Sequence, residues 1–94
     1  MEYKEIEGKE VIDKQAHLIG KVCEIALDPN IWKVTHICVD VDKNIVEKIG
    51  LKKPLIGSVK ATIPIEMIHA MSDRILLRNE SLDELKQVIK PKSS

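Results

Sequence analysis

A chain of 94 residues is the length of one domain, and its 15 basic and 15 acidic side chains leave it without net charge. Nucleic-acid-binding domains usually carry a basic excess, and single-strand binders stack bases on aromatic rings, yet this chain has one Trp, one Tyr and no Phe. No apolar run approaches the roughly 18 residues of a membrane-spanning helix, and neither the polar, acidic start nor the two cysteines indicate secretion. We therefore expect a cytoplasmic protein that spans no membrane and does not bind nucleic acid directly.

The first predicted elements are two strands. GKEVIDKQAHLIG predicts a short strand over Lys9 to Asp13, a polar turn and the start of a second strand. Apolar residues recur from Leu18 to Leu27, but Val22 belongs to one parity and Ile25 to the other. Because one extra residue shifts the alternation by one position, we expect a β-bulge near Gly20 that lets the strand change face.

A turn at Asp28-Pro29-Asn30 joins this strand to the next, since proline presets φ and the flanking side chains bond the backbone. The following strand is predicted over Trp32 to Asp42. Ile37, Val39 and Val41 alternate on one of its faces. The pattern predicts a β-hairpin around the proline turn.

The second half of the chain predicts shorter elements. Residues 44–58 form an insertion that begins with a helical turn over Asn44 to Leu51. A strand over Val59 to Ile65 follows, and Pro64 suits the end or the edge of a sheet because it cannot donate to a ladder. IHAMSDRILL then predicts a tight hairpin with Ser72-Asp73 at its tip.

The last predicted element is a helix over residues 81–90. Ser81 is its expected N-cap, Glu84 completes a capping box, and Pro91 ends the helix. Its apolar stripe consists of Leu82, Leu85, Val88 and Ile89. Residues 1–80 are thus expected to form one β domain, with the helix packed on it and a polar tail over 91–94.

A metal site is the first chemistry that the sequence suggests, from four residues close in the chain: His17, Cys23, His36 and Cys38. Structural zinc sites draw their ligands from C-x₂₋₄-C and H-x₃₋₅-H spacings, and neither spacing occurs here. We therefore expect no metal and no cofactor, with Cys23 as a small core residue and His36 at the surface.

Catalytic chemistry has little support in the sequence. Asp40 and Asp42 share a strand face and can in principle bind a cation or transfer protons, but such residues commonly solvate a strand end. No serine lies in a nucleophile elbow. The sequence predicts that the protein is not an enzyme.

An interaction surface is the stronger hypothesis. The predicted strand places four residues opposite the Ile37 face: Trp32, Val34, His36 and Cys38. An exposed strand face is normally charged, whereas this one is largely apolar. Two interpretations remain open. The C-terminal helix covers this face, or the face is a subunit or partner interface anchored by Trp32, a residue type enriched at binding hot spots.

The order of these segments resembles a known family. G-K-E-V-I-D, L-I-G-K-V-C-E-I-A-L-D and I-C-V-D-V resemble the opening strands of a PRC-barrel domain, and I-P-I-E-M-I-H-A-M-S-D-R-I-L-L is similar to its closing stretch. The resemblance covers about residues 6 to 78. NIVEKIGLKKPLIGS and SLDELKQVI are similar to segments of the small stand-alone archaeal members. The resemblance implies an all-β fold, a small barrel of about six strands with a short C-terminal helix.

The resemblance also implies a role in assembly. Relatives include the cytoplasmic part of the photosynthetic reaction centre H subunit and a domain of a ribosome maturation factor, and archaeal members are associated with cell division. What they share is docking onto macromolecules, without common catalytic residues. The implied protein is a non-catalytic adaptor, a homodimer with an unidentified protein partner. Two alternatives stay open: an accessory domain in RNA metabolism that docks on ribosomal protein, and a small ligand-binding barrel or enzyme.

Overall fold

The computed structural model describes residues 3–50, 57–78 and 82–87, and most of its regular structure is β. The strands are β1 Glu10–Ile12, β2 Leu18–Asp28, β3 Lys33–Val41, β4 Lys60–Pro64, β5 Ile68–Met71 and β6 Ile75–Leu77. The helices are α1 Tyr3–Ile6, α2 Lys43–Lys48 and α3 Leu82–Lys86, with a 3₁₀ helix at Ile65–Met67. The prediction of a mainly β fold is confirmed.

The six strands form a single sheet in the order β4-β3-β2-β1-β6-β5. Neighbouring strands are antiparallel except for β1 and β6, which pair in parallel. β4 and β5 are the outer strands, and no pairing between described residues joins them. The sheet is therefore not closed into a barrel by the hydrogen bonds seen here.

The long strand β2 contains the predicted phase change. Against β1, Val11 pairs with Gly20 and the next pair skips one residue of β2. Against β3, a second extra residue occurs at Cys23. Each extra residue shifts the alternation by one position, so Ile19, Val22 and Ile25 all reach the core although they are three apart. The expected bulge near Gly20 is confirmed, and a second one lies beside it.

One apolar core joins the sheet to the helices. Its sheet residues are Val11, Ile19, Val22, Ile37, Val39, Val41, Ala61, Ile63, Ile75 and Leu77. α2 adds Ile45 and Val46, as the predicted helical turn requires, and Ile49 at its C-cap joins them. Asp42 caps the start of α2 by accepting from the N–H of Asn44 at 3.1 Å. The remainder of the expected insertion, residues 51–56, lies outside the described residues.

The C-terminal half follows the predicted order. β5 and β6 form the expected hairpin, closed by the N–H of Ser72 donating to the carbonyl of Arg74 at 3.0 Å. Leu85 of α3 is fully buried in the core. The expected cap at Ser81, the stripe residues after α3 and the polar tail lie outside the described residues. No helix in the described part of the chain is long and apolar enough to cross a membrane.

Candidate functional site

The β2–β3 hairpin ends in a turn that local hydrogen bonds hold in place. Asp28 accepts from the N–H of Asn30 through Oδ1 at 2.9 Å, and its carbonyl accepts from the N–H of Trp32 at 2.7 Å. Trp32 has a φ of 54°, a left-handed conformation that bulky residues rarely adopt. This conformation closes the turn just before β3 begins at Lys33.

Two large apolar side chains project from this turn. Ile31 is 57% exposed and Trp32 is 76% exposed, the highest values among the large hydrophobic side chains that the structure describes. They are adjacent in sequence and neither packs against the core cluster. We call Ile31 and Trp32 the hairpin tip. Sequence reasoning singled out Trp32 but missed Ile31, whose position after Pro29-Asn30 was the available signal.

The predicted four-residue strand face is not preserved by the observed register. Val34 pairs with Leu27 of β2. His36 pairs with the adjacent β2 residue, Ala26, which leaves Thr35 as an extra residue in β3. Because paired residues share a face and adjacent residues of a strand do not, Val34 and His36 lie on opposite faces of the sheet.

Cys38 keeps the face of His36, because the register with β4 runs without interruption between these two residues. Trp32 precedes β3 and is exposed, whereas Cys38 lies in the middle of β3 with 7% exposure. Val34 and His36 are half-buried. The tryptophan is thus the one residue of the four that presents a large accessible apolar surface. The other interpretation, in which the C-terminal helix covers this strand face, depends in part on residues 88–90, which lie outside the described residues.

The four residues that suggested a metal site are distributed over three places. His17 lies in the β1–β2 loop, where its Nδ1 is 2.8 Å from Oδ2 of Asp13. His36 contacts the hydroxyl of Thr35 at 3.0 Å, and the two cysteines lie together between β2 and β3. Within the described ranges, no three His, Cys, Asp or Glu side chains converge on a position that can hold a metal ion.

The two cysteines belong to a polar cluster on β2, β3 and β4. The thiol of Cys23 donates to the carbonyl of Cys38 at 3.3 Å, and Nζ of Lys60 lies 3.8 Å from its sulfur. Lys60 also donates to Oδ1 of Asp40 at 2.5 Å, and that oxygen accepts from the hydroxyl of Ser58 at 2.9 Å. The hydrogen bond from Lys60 lowers the pKa of Asp40, so this carboxylate is held as the anion.

The environment of Cys23 suppresses its reactivity. Burial, followed by the hydrogen bond with Cys38 and the negative charge of Asp40, raises the pKa of Cys23 to about 11. A catalytic cysteine has the opposite shift, because the thiolate is the nucleophile. Asp42 is likewise engaged as the cap of α2. The cluster therefore offers neither an activated nucleophile nor an idle carboxylate pair.

Alkylation of Cys23 by iodoacetamide at pH 8 should be about tenfold slower than that of an unperturbed thiol. The thiolate fraction falls about a hundredfold, and the greater nucleophilicity of the more basic thiolate offsets this by a factor of about ten. The rate should rise about tenfold per pH unit up to a pKa of about 11. Mass spectrometry of the Cys23 peptide measures it, with the urea-unfolded chain as control. A folded-state rate that levels off near pH 9 would show that burial does not hold the proton.

Comparison with known proteins assigns no family to this geometry, since no family model and no curated protein matches the chain. The hairpin tip and the cluster around Cys23 are the features from which a function can be inferred. The tip offers accessible apolar area on a fixed turn. The cluster offers a satisfied hydrogen-bond network. The tip lies just before the start of β3, whereas Asp40 of the cluster lies next to the other end of that strand.

Proposed function

We propose that the protein is a non-catalytic interaction module that docks on a partner protein through the hairpin tip. The resemblance to PRC-barrel domains supports this role. On this proposal the six-stranded sheet corresponds to the barrel of that family, left open between β4 and β5, and the protein acts as a cytoplasmic adaptor in a larger assembly such as the cell-division machinery.

One observation carries the proposal: Ile31 and Trp32 stand side by side in solvent on a turn that is already ordered. Burying a side chain of this size in an interface yields about 2 kcal/mol from the removal of apolar area alone. Tryptophan is also the residue type most enriched at binding hot spots. A protein partner with an apolar pocket matches this surface better than a polar ligand does.

The turn adds affinity because it is preorganised. The hydrogen bonds that Asp28 accepts from the N–H groups of Asn30 and Trp32 fix the backbone before any partner arrives. Ordering a mobile loop on binding would otherwise oppose association. The polar side chains of Asn30 and the exposed Lys33 flank the apolar pair, which is the arrangement of an apolar centre with a polar rim.

The polar groups further along the β2–β3 hairpin support a non-catalytic role. Cys23 is held as a thiol, Asp40 is held as an anion by Lys60 and Ser58, and Asp42 caps a helix. A general acid or base needs a pKa close to the working pH. The low pKa of Asp40 and the high pKa of Cys23 lie on the wrong sides of neutrality for that task.

Replacing Trp32 with alanine should reduce partner capture from host lysate about tenfold or more, since a central tryptophan commonly contributes 2 kcal/mol or more of binding energy, as an order of magnitude. Tagged wild type and Trp32→Ala are compared by quantitative mass spectrometry. Lys33→Ala is the matched control, because it truncates the next exposed residue but leaves both apolar side chains of the hairpin tip in place.

Half of each lysate is treated with nuclease to separate the alternatives. Proteins that wild type still captures after nuclease treatment, but that Trp32→Ala does not capture, support the adaptor proposal. Ribosomal proteins that disappear on nuclease treatment would instead favour the RNA-metabolism role. A set of captured proteins that is the same for wild type and Trp32→Ala would contradict docking through the tip.

The single tryptophan also reports occupancy of the tip without any substitution. In the free protein its emission should be that of an indole in water and readily quenched by acrylamide, because Trp32 is 76% exposed. Binding of an identified partner should shift the emission to the blue and protect it from quenching. Binding that leaves both properties unchanged would place the interface elsewhere.

A further inference from the structure

The two outer strands of the sheet are built differently. β4 comprises five residues, and its register with β3 runs without interruption from Lys60 to Pro64. β5 comprises four residues, and its register with β6 is broken beside His69. Irregular edges resist pairing with another chain, whereas a regular edge is a template for it. β4 is therefore the edge of this sheet that is able to accept another strand.

The register shows which backbone groups of β4 point away from the sheet. The N–H of Val41 donates to the carbonyl of Val59 at 2.8 Å, so Val59 uses its backbone toward β3. Bonded and non-bonded pairs alternate along an antiparallel ladder, so Ala61 and Ile63 also face β3. The alternate residues, Lys60, Thr62 and Pro64, direct their backbone groups outward. Pro64 fits this phase because a proline in a sheet has its missing donor on the open side.

The side chains of β4 are divided in the same way. Val59, Ala61 and Ile63 are buried in the core, whereas Thr62 is exposed on the other face. A strand added to this edge would therefore leave the core of each chain unchanged. The outward donors available to it are the N–H groups of Lys60 and Thr62, and the outward acceptors are the carbonyls of the same two residues.

We propose that β4 pairs antiparallel with β4 of a second copy, which joins two sheets across a two-fold axis. The edge is complementary to itself, because its outward donors meet outward acceptors of the same strand in the other copy. The charge of Lys60 is balanced by Asp40 at 2.5 Å within each chain. The chain as a whole carries no net charge, so two copies do not repel each other.

The same features limit the assembly to two copies. Each chain contributes the one regular edge found among its described residues, so the pairing of β4 with β4 is closed. The irregular β5 edge is left outside, which disfavours continued growth into a fibre. The hairpin tip takes no part in the pairing, so this inference stands independently of the proposed partner site.

Two substitutions at Thr62 and one control test the pairing by sedimentation over a range of concentrations. Thr62→Pro removes the outward donor without removing a bond to β3, and should raise the dimer dissociation constant about tenfold or more, since two hydrogen bonds are lost per dimer. Thr62→Lys keeps the donor but adds a positive charge to each chain. This charge lies near the same substitution or near Lys60 in the other chain, and the repulsion should weaken the dimer about fivefold. Thr62→Val keeps the N–H and the β-branched shape, so its dimer should match the wild type.

Amide exchange of the wild-type protein provides a readout that needs no variant. The N–H groups of Lys60 and Thr62 should exchange rapidly in dilute solution and become protected as concentration rises. Those of Ala61 and Ile63 should stay protected at all concentrations, because they bond β3. Tryptophan emission should be unchanged over the same range, because Trp32 lies outside the pairing.

The outcomes separate clearly. Concentration-dependent protection at Thr62, lost in Thr62→Pro and retained in Thr62→Val, establishes the pairing. A wild-type protein that is monomeric at millimolar concentration overturns it, as does a dimer that Thr62→Pro and Thr62→Lys leave intact. A dimer broken by Trp32→Ala and not by the Thr62 substitutions would assign self-association to the hairpin tip instead.

Discussion

Replacing Gly20 with alanine should destabilise the fold by about 3 kcal/mol, because overpacking against an immobile backbone has costs at the upper end of the usual range. A Cβ atom at this position would overlap the backbone carbonyl oxygen of Asp40 and would lie 2.8 Å from Cγ1 of Val39. Both residues belong to β3, which is paired on both sides. Neither can retreat without breaking the ladder to β2 or to β4.

Urea unfolding of Gly20→Ala measures this effect, and Gly50→Ala is the matched control. Gly50 has a φ of 78° and open space around the added carbon, so this control measures left-handed backbone strain without a steric clash, about 1 kcal/mol. The free energy of unfolding should therefore fall about three times as far in Gly20→Ala. Equal losses in the two variants would show that β2 and β3 do not approach each other closely at this point.

Local sequence signals predicted the strands and hairpins well. Asp28-Pro29-Asn30 specifies its turn through bonds to neighbouring backbone groups, and the structure shows such a bond at 2.9 Å. The phase change between Val22 and Ile25 predicted a bulge, because apolar residues must reach the core whatever their parity. Pro64 indicated an edge, and β4 is an edge strand.

Long-range pairings left no comparable signal. The parallel pairing of β1 with β6 joins Val11 to Ile75, and Nζ of Lys9 donates to the carbonyl of Ser72 at 2.6 Å. These contacts depend on how the whole sheet assembles rather than on any short pattern. The open edge at β4 depends on the same assembly, since the outer strand is known only when every pairing is known.

The candidate site shows the same division. Trp32 could be selected from its residue type, but its surroundings depend on a turn that extends to Trp32 and on the extra residue Thr35 in β3. Thr35 produces no visible phase change in sequence, because threonine is common on either face of a strand. The contacts of Asp40 with Lys60 and Ser58 require the β3–β4 register, which no local pattern specifies.

Replacing Asp13 with alanine should lower the free energy of unfolding by about 3 kcal/mol, because a buried charged acceptor of several hydrogen bonds is lost. Asp13 is 1% exposed. Its Oδ1 accepts from the N–H groups of Gln15 and His17 at 2.9 and 2.8 Å, and its Oδ2 contacts Nδ1 of His17 at 2.8 Å. These bonds shape the loop through which the chain leaves β1 and enters β2.

Asp28→Ala is the control for Asp13→Ala, since the side chain of Asp28 makes the same kind of bond to the N–H two residues later. That bond is exposed to solvent, so water replaces the missing acceptor and the loss should be about 1 kcal/mol or less. Asp13→Asn retains one acceptor oxygen, so its loss in the free energy of unfolding should lie between those of Asp13→Ala and Asp28→Ala. Chemical unfolding of the three variants gives the order directly. If Asp13→Ala proves no more costly than Asp28→Ala, the buried carboxylate is not what holds β1 and β2 in register, and the bulge opposite Val11 becomes the next feature to test.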